Sequence, residues 1–381
     1  MTHTPLFADD DNTADPAASH DSDEMLEQES FVEWNIAALL HALDAARQAD
    51  TLTLLRARIV SEHAAIGAAE ASQRADADSS TVLPRAYILG ELEQIAAAQT
   101  LERARYYIDR LVKALTEERT SPINDINLNR WKEYDDILTD SLWNFERRDR
   151  SSTHTADYWG NFIPQIPHQM MRRYTKRGEW VLDVFAGSGT TLIEALRLGR
   201  NCLGVELQPH VAERARERLV DTPNPHAVDY DITVGDSATA DFGALLRERG
   251  AESTQLVMMH PPYYDIIKFS EDERDLSNAG SVDAFLERMG QVVERAAAVL
   301  DRGRYLVLVI GDKYVKGEWI PLGFQTMNVV QQRGFVLKSI VVKNFEETTG
   351  KRAQKELWKY RALVGGFYVF KHEYIFVFKK R

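Results

Sequence analysis

The stretch Trp180–Leu207, WVLDVFAGSGTTLIEALRLGRNCLGVEL, constrains the fold more than any other part of the chain. It reads as a strand, a glycine turn, a helix and a second strand that ends in an acid. Gly187 and Gly189 permit a tight turn and a close backbone approach to a ligand, and the helix from about Thr190 opens with unpaired N–H groups. Glu206, at the end of the second strand, is placed to bind the two hydroxyls of a ribose. Together these features predict a site for a nucleoside-containing ligand.

The pattern continues on both sides. Candidate strands lie at 179–185, 201–206, 230–234, 255–259, 304–310, 335–342 and 372–379, and candidate helices at 189–198, 209–219, 281–300 and 320–333. Such alternation predicts an α/β fold, a mainly parallel sheet of seven strands with helices on both faces. The last two strands have no obvious crossover helix between them, so the final strand is expected to be antiparallel. Upstream, helical spacing at Val32–Leu43, Leu52–Ile66 and Leu101–Leu115 predicts three helices, with Pro84 in the first turn of the third. The expected organisation is a disordered acidic tail (1–28), a helical accessory region (29–118), a connector (119–154) and a catalytic-type α/β domain (155–381).

Composition bounds the rest. With 44% hydrophobic and 27% charged residues the 381-residue chain reads as soluble and globular. It has neither a run of roughly 18 apolar residues nor a signal-peptide pattern, from which a cytoplasmic location is expected. The single cysteine, Cys202, rules out an intrachain disulfide and a cysteine-based zinc cluster, and the ten histidines lack metal-ligand spacing, so no structural metal is expected. The net charge of −12 argues at first against a nucleic-acid partner, but it is unevenly spread. Residues 1–30 carry nine acids and no Lys or Arg, whereas 331–381 carry twelve Lys or Arg against four Glu. Only the second segment suits phosphates.

The glycine turn discriminates between ligands. A dinucleotide site would prefer a third glycine at position 192, which is Leu, and Asp183 puts a carboxylate where a cationic amine docks and a phosphate would not. This favours a positively charged nucleoside such as S-adenosylmethionine over NAD. The segment DVFAGSGTT resembles the cofactor motif of the DNA amino-methyltransferases, which methylate adenine N6 or cytosine N4, and YWGNFIPQIPHQMMRRYTKRGEWVLD is similar to that family's preceding motif. The resemblance implies a Rossmann-like fold with S-adenosylmethionine held by Phe162, Pro164, Asp183, Phe185, Gly187, Ser188, Gly189, Thr190 and Glu206. Asp236 becomes the acceptor for the cofactor's adenine amino group or, alternatively, a loop cap.

His260, Pro261, Pro262 and Tyr263 follow the fourth strand, and neither proline can donate a backbone hydrogen bond. They match three of four positions of the family's Asp/Asn/Ser-Pro-Pro-Tyr tetrapeptide. The family chemistry gives that composition a purpose. An exocyclic base amine is a poor nucleophile because its lone pair is delocalised, and two acceptors, one side chain and one carbonyl held by the stiff turn, favour the pyramidal form. Tyr263 would stack on a base flipped from the duplex. His260 is the departure from the motif: a neutral imidazole accepts a hydrogen bond and can receive a proton, a protonated one does neither. The alternative is a core histidine beside a structural turn. The glycine motif precedes the Pro-Pro-Tyr motif, the unpermuted order.

Contacts to double-stranded DNA are expected from Lys268, just past the turn in a loop that otherwise reads as a lid, and from Lys343, Lys351, Arg352, Lys355, Lys359 and Arg361, interleaved with Trp358, Tyr360 and Phe367. The arginines and aromatics of 143–159 are candidates for the other wall of the cleft. The N-terminal helices show no basic stripe and fit bracing or homodimerisation. Adenine N6 is favoured over cytosine N4 because the cytosine enzymes commonly carry Ser before Pro-Pro-Tyr. An RNA amino-methyltransferase or a non-catalytic nucleic-acid-binding module are the alternatives, and a restriction endonuclease would be a separate partner.

Overall fold

The computed structural model describes residues 31–68, 80–155, 160–315, 317–344 and 355–381. They form two compact units, one reaching Pro122 and taking in Ile126–Asp136, the other made of Ile123–Asp125 and Ile137–Arg381. The expected acidic tail, together with Tyr158, Trp159, Lys351 and Arg352, lies outside the described residues.

In the first unit β1 (Phe31–Asn35) precedes α1 (Ile36–Arg47) and α2 (Leu52–Ala68), and β2 (Ser80–Pro84) precedes α3 (Arg85–Ala96) and α4 (Leu101–Thr116). The two strands pair antiparallel. Three helices were expected and four are described. Pro84 stands at the cap of α3, the chain leaves helical structure after Ala97, and the Thr100 side chain accepts from the Arg103 N–H at 3.1 Å to start α4. Val32 belongs to the strand, and Asn35 rather than any earlier residue caps α1. Leu43, Leu55, Ile88, Leu92, Ile95, Ile108 and Leu111 meet in a core closed to solvent.

The second unit is built on one sheet. Its elements are β3 (Leu142–Trp143), α5 (Gln165–Tyr174), β4 (Trp180–Asp183), α6 (Thr190–Leu198), β5 (Asn201–Glu206), α7 (Pro209–Val220), β6 (Tyr230–Val234), α8 (Phe242–Glu248), β7 (Thr254–Met259), α9 (Val282–Val299), β8 (Leu300–Ile310), the hairpin β9 (Lys313–Val315) and β10 (Glu318–Ile320), α10 (Leu322–Gln331), β11 (Phe335–Asn344), α11 (Lys355–Gly365) and β12 (His372–Lys380). The order across the sheet is β3-β11-β12-β8-β7-β4-β5-β6. The seven expected strands all form, and β12 runs antiparallel to both β11 and β8. The eighth strand is β3, from the expected connector, which pairs parallel with β11. Sequence periodicity also passes over α5, α8, α11 and the hairpin, all short or broken by polar residues.

Period-two alternation sends each strand's residues to two cores. Leu182, Val257, Met259, Leu306, Leu308, Phe376 and Phe378 face α8, α9 and α10, while Val181, Leu256, Met258, Val307, Val309, Ile375 and Val377 face α5, α6 and α7. Both faces being covered explains the unbroken apolar runs Leu256–Met259 in β7 and Tyr305–Ile310 in β8. On the first face Phe285 of α9 is fully buried and its ring meets Tyr264 edge-on at 6.1 Å. Phe285→Ala should therefore cost about 3–5 kcal/mol of stability, read as a lower urea midpoint.

From β4 the chain builds outward to β5 and β6 on one side and to β7 and β8 on the other. That reversal opens a crevice at the strands' carboxyl ends. Gly204 of β5 lets the glycine turn settle onto the sheet, since a Cβ there would lie 2.9 Å from the Ala186 methyl and 3.0 Å from Leu192.

Candidate active site

A cavity of about 390 Å³ fills the crevice, within the range of about 300–1,000 Å³ usual for small-ligand sites. The ends of four strands supply it: Phe185 and Gly187 after β4, Glu206 on β5, Asp236 after β6, and His260 to Tyr263 after β7.

On the cofactor side, Glu206 is 7% exposed. Its two carboxylate oxygens accept from the Gly187 N–H at 3.0 Å and the Gln208 N–H at 2.9 Å. Burial raises its pKa, the N–H groups oppose that, and the charges of Asp183 and Asp275 add to it. Gly189 caps α6 with φ +86°, a left-handed conformation that favours glycine. Asp183 sits beneath the turn, buried, accepting from the Phe185 N–H at 3.0 Å, and is not on the cavity wall. Burial pushes its pKa up to about 6.

Asp236 is a loop cap, and it also faces the cavity. One oxygen caps the loop by accepting from the Ala238 N–H at 3.0 Å, the other accepts from Arg288 of α9 at 2.6 Å, and the residue lines the cavity. Phe162 lines it as well. Pro164 stands at the N-terminus of α5, and Ser188, Gly189 and Thr190 stay behind the wall, with the Ser188 hydroxyl bonded to Asn161.

On the opposite side, the His260 ring packs against Phe162 with centroids 4.8 Å apart. His260 Nε2 lies 3.1 Å from the Tyr263 hydroxyl, which donates to Glu373 of β12 at 2.7 Å. Lys343 of β11 is 3.1 Å from the other Glu373 oxygen. Burial drives the His260 pKa down to about 4, although Glu373 pulls it upward. Glu373 is itself opposed by burial, but Lys343, His260 and the Tyr263 hydroxyl hold its carboxyl below the usual range. Tyr264 follows with φ +55°, rare for a residue with a side chain, and its ring lies under the Lys313 ammonium at 4.6 Å.

The expected DNA contacts separate. Lys343 is only 5% exposed and lies in the cavity, so the expectation of an outer phosphate contact does not match its position. Lys268 is exposed and pairs with Glu271. Lys355, Lys359 and Arg361 all fall on α11, where Arg361 covers the Trp358 ring at 5.0 Å. The loop after the turn contributes Ile266, Ile267, Phe269, Arg274 and Asp275 to the cavity wall. Phe145, Arg147 and Arg148 line it too. Sequence reasoning missed Arg288 and Glu373. The signal for Arg288 is a cation beside the buried Met289, and for Glu373 an acid heading an apolar strand.

Sheet order and crevice define the S-adenosylmethionine-dependent methyltransferase fold, whose cofactor is S-adenosylmethionine. The site fits it: a buried carboxylate ends β5, a left-handed glycine opens α6, and the cavity has room for a nucleoside. Residues 93–217 and 254–381 match the N6/N4 family of DNA methylases, more than half of the chain, and the protein belongs to that family. Relatives include the Type II methyltransferases M2.DpnII of Streptococcus pneumoniae, 35% identical over 97 residues (24% of this chain, 32% of that protein), and M.MjaII of Methanocaldococcus jannaschii, 38% identical over 52 residues (14% and 10%). The matched stretches thus span a third or less of those relatives' length. Among solved structures, TrmN from Thermus thermophilus is 17% identical with a TM-score of 0.36, covering 58% of this chain and 49% of that one. Among the described residues no helix is long and apolar enough to cross a membrane.

Proposed function

We propose that the protein methylates an exocyclic amino group of a base flipped out of double-stranded DNA, adenine N6 in preference to cytosine N4. The observation that carries this reading is the His260-Pro261-Pro262-Tyr263 turn on the same cavity as Glu206. When bound, S-adenosylmethionine supplies an electrophilic methyl group. Glu206 takes the ribose hydroxyls, and Asp236, steadied by Arg288, takes the adenine amine. Neutral His260 and a carbonyl of the proline turn accept the two hydrogens of the target amine, which frees its lone pair for in-line attack. His260 then receives the proton the methylated amine sheds. The Tyr263 ring offers a stacking face to the base.

Parallel incubations of radiolabelled S-adenosylmethionine with duplex DNA and with RNA, followed by digestion to nucleosides, test the reading. N6-methyladenine is the expected product; N4-methylcytosine would correct the base, and label only in RNA or in neither polymer would defeat the proposal.

For DNA contact we assign the basic residues of α11, Lys355, Lys359 and Arg361, with Lys351 and Arg352, which precede it in the sequence. Replacing Lys355, Lys359 and Arg361 together by alanine should weaken DNA binding and reduce the slope of log K against log salt by about 2–3, at roughly 0.9 per phosphate. An unchanged slope would place the duplex elsewhere.

A further inference from the structure

Resting on the base-methylation reading, we propose that Lys343, Glu373 and Tyr263 are a line of positioning residues that holds His260 in one tautomer, proton on Nε2 and lone pair on Nδ1 for the target amine. The argument starts from proton counts. Lys343 and Glu373 face each other across β11 and β12, 5% and 4% exposed, with the ammonium 3.1 Å from one carboxylate oxygen. A carboxylate beside an ammonium is ionised and only accepts. The single phenol proton of Tyr263 therefore points to Glu373, at 2.7 Å. Its oxygen can then only accept from His260 Nε2, 3.1 Å away, which must carry the ring's one proton. Nδ1 is left as the acceptor, and among the described residues no further hydrogen bond to the ring occurs.

Two packing features keep the line in place. Phe162 lies against the His260 ring, and Gly311 makes room for Tyr263, since a Cβ there would come within 3.0 Å of its ring. The charge at Glu373 sets the sense of the whole chain. Without Lys343, a buried Glu373 favours its protonated form, which would donate to Tyr263 and send the phenol proton to His260 Nε2. The ring proton would then sit on Nδ1, facing the amine with a donor where an acceptor is needed.

The test uses full-length protein with ¹⁵N-labelled histidine. Long-range proton–nitrogen correlations on the unmodified protein, with His260 assigned by the disappearance of its signals in His260→Asn, should show Nε2 protonated and Nδ1 bare. Lys343→Met and Glu373→Gln should mix or reverse the tautomer and lower kcat for DNA methylation by at least about tenfold, with S-adenosylmethionine affinity and the KM for DNA little changed. If Lys343 served a DNA phosphate instead, Lys343→Met would raise KM and flatten the salt dependence with kcat unchanged, and that result would overturn the proposal. So would protonated Nδ1 in the unmodified protein, or folded variants with the original tautomer and kcat. The tautomer is read without DNA, so it decides the relay even where no DNA is methylated, an outcome that counts against the proposed reaction alone.

Discussion

His260→Ala is expected to slow methyl transfer to DNA by about a hundredfold to a thousandfold while S-adenosylmethionine still binds, because it removes the side-chain acceptor and leaves the cofactor side intact. His260→Asn should recover part of the rate, as its amide oxygen also accepts. The pH dependence carries a sign. The ring works only when neutral, and burial lowers its pKa to about 4 against an ordinary value of about 6.5. The His260 contribution should hold from neutral pH down to about 5 and fade as pH drops through about 4. A single-turnover pH profile, with circular dichroism run alongside to exclude acid unfolding, checks both statements. Full activity in His260→Ala across the range, or a break in the unmodified enzyme at about 6.5 that the substitution removes, would contradict them.

Glu206→Ala should weaken S-adenosylmethionine binding by about 10- to 100-fold, roughly the 1.5–3 kcal/mol of hydrogen bonds to a charged group. Each Glu206 oxygen already accepts one backbone N–H, from Gly187 or from Gln208, and retains acceptor capacity toward the cavity. The side chain therefore shapes the glycine turn as well as offering the ribose an acceptor. Glu206→Gln keeps one oxygen and should lose less. Titration calorimetry separates the two, and an unchanged Kd in the alanine variant would remove Glu206 from the site.

How much of this is legible in the sequence depends on the range of the interaction. The strands β5 and β6 and the helix α6 are marked by local patterns, an apolar stretch ended by Glu206, an alternating stretch ended before Gly235 and a helix bracketed by Gly189 and Gly199, so their limits follow from the chain itself. The division between α3 and α4 does not follow, because the apolar spacing runs on and only the Thr100 cap interrupts it. The pattern around Asp183 marks a carboxylate at a strand end, but which side of the turn it faces is a matter of packing.

The sequence alone determined the α/β class, the two glycine and proline turns and their order, since each is a rule about neighbouring residues. Tertiary structure alone decided what completes the site. Residues 260, 263, 343 and 373 come from three strands' ends and share one hydrogen-bonded line only because β11 and β12 pair in the register that sets Lys343 opposite Glu373. Register is a property of the assembled sheet, and it turned a lysine expected on phosphates into the buried counter-ion behind the histidine.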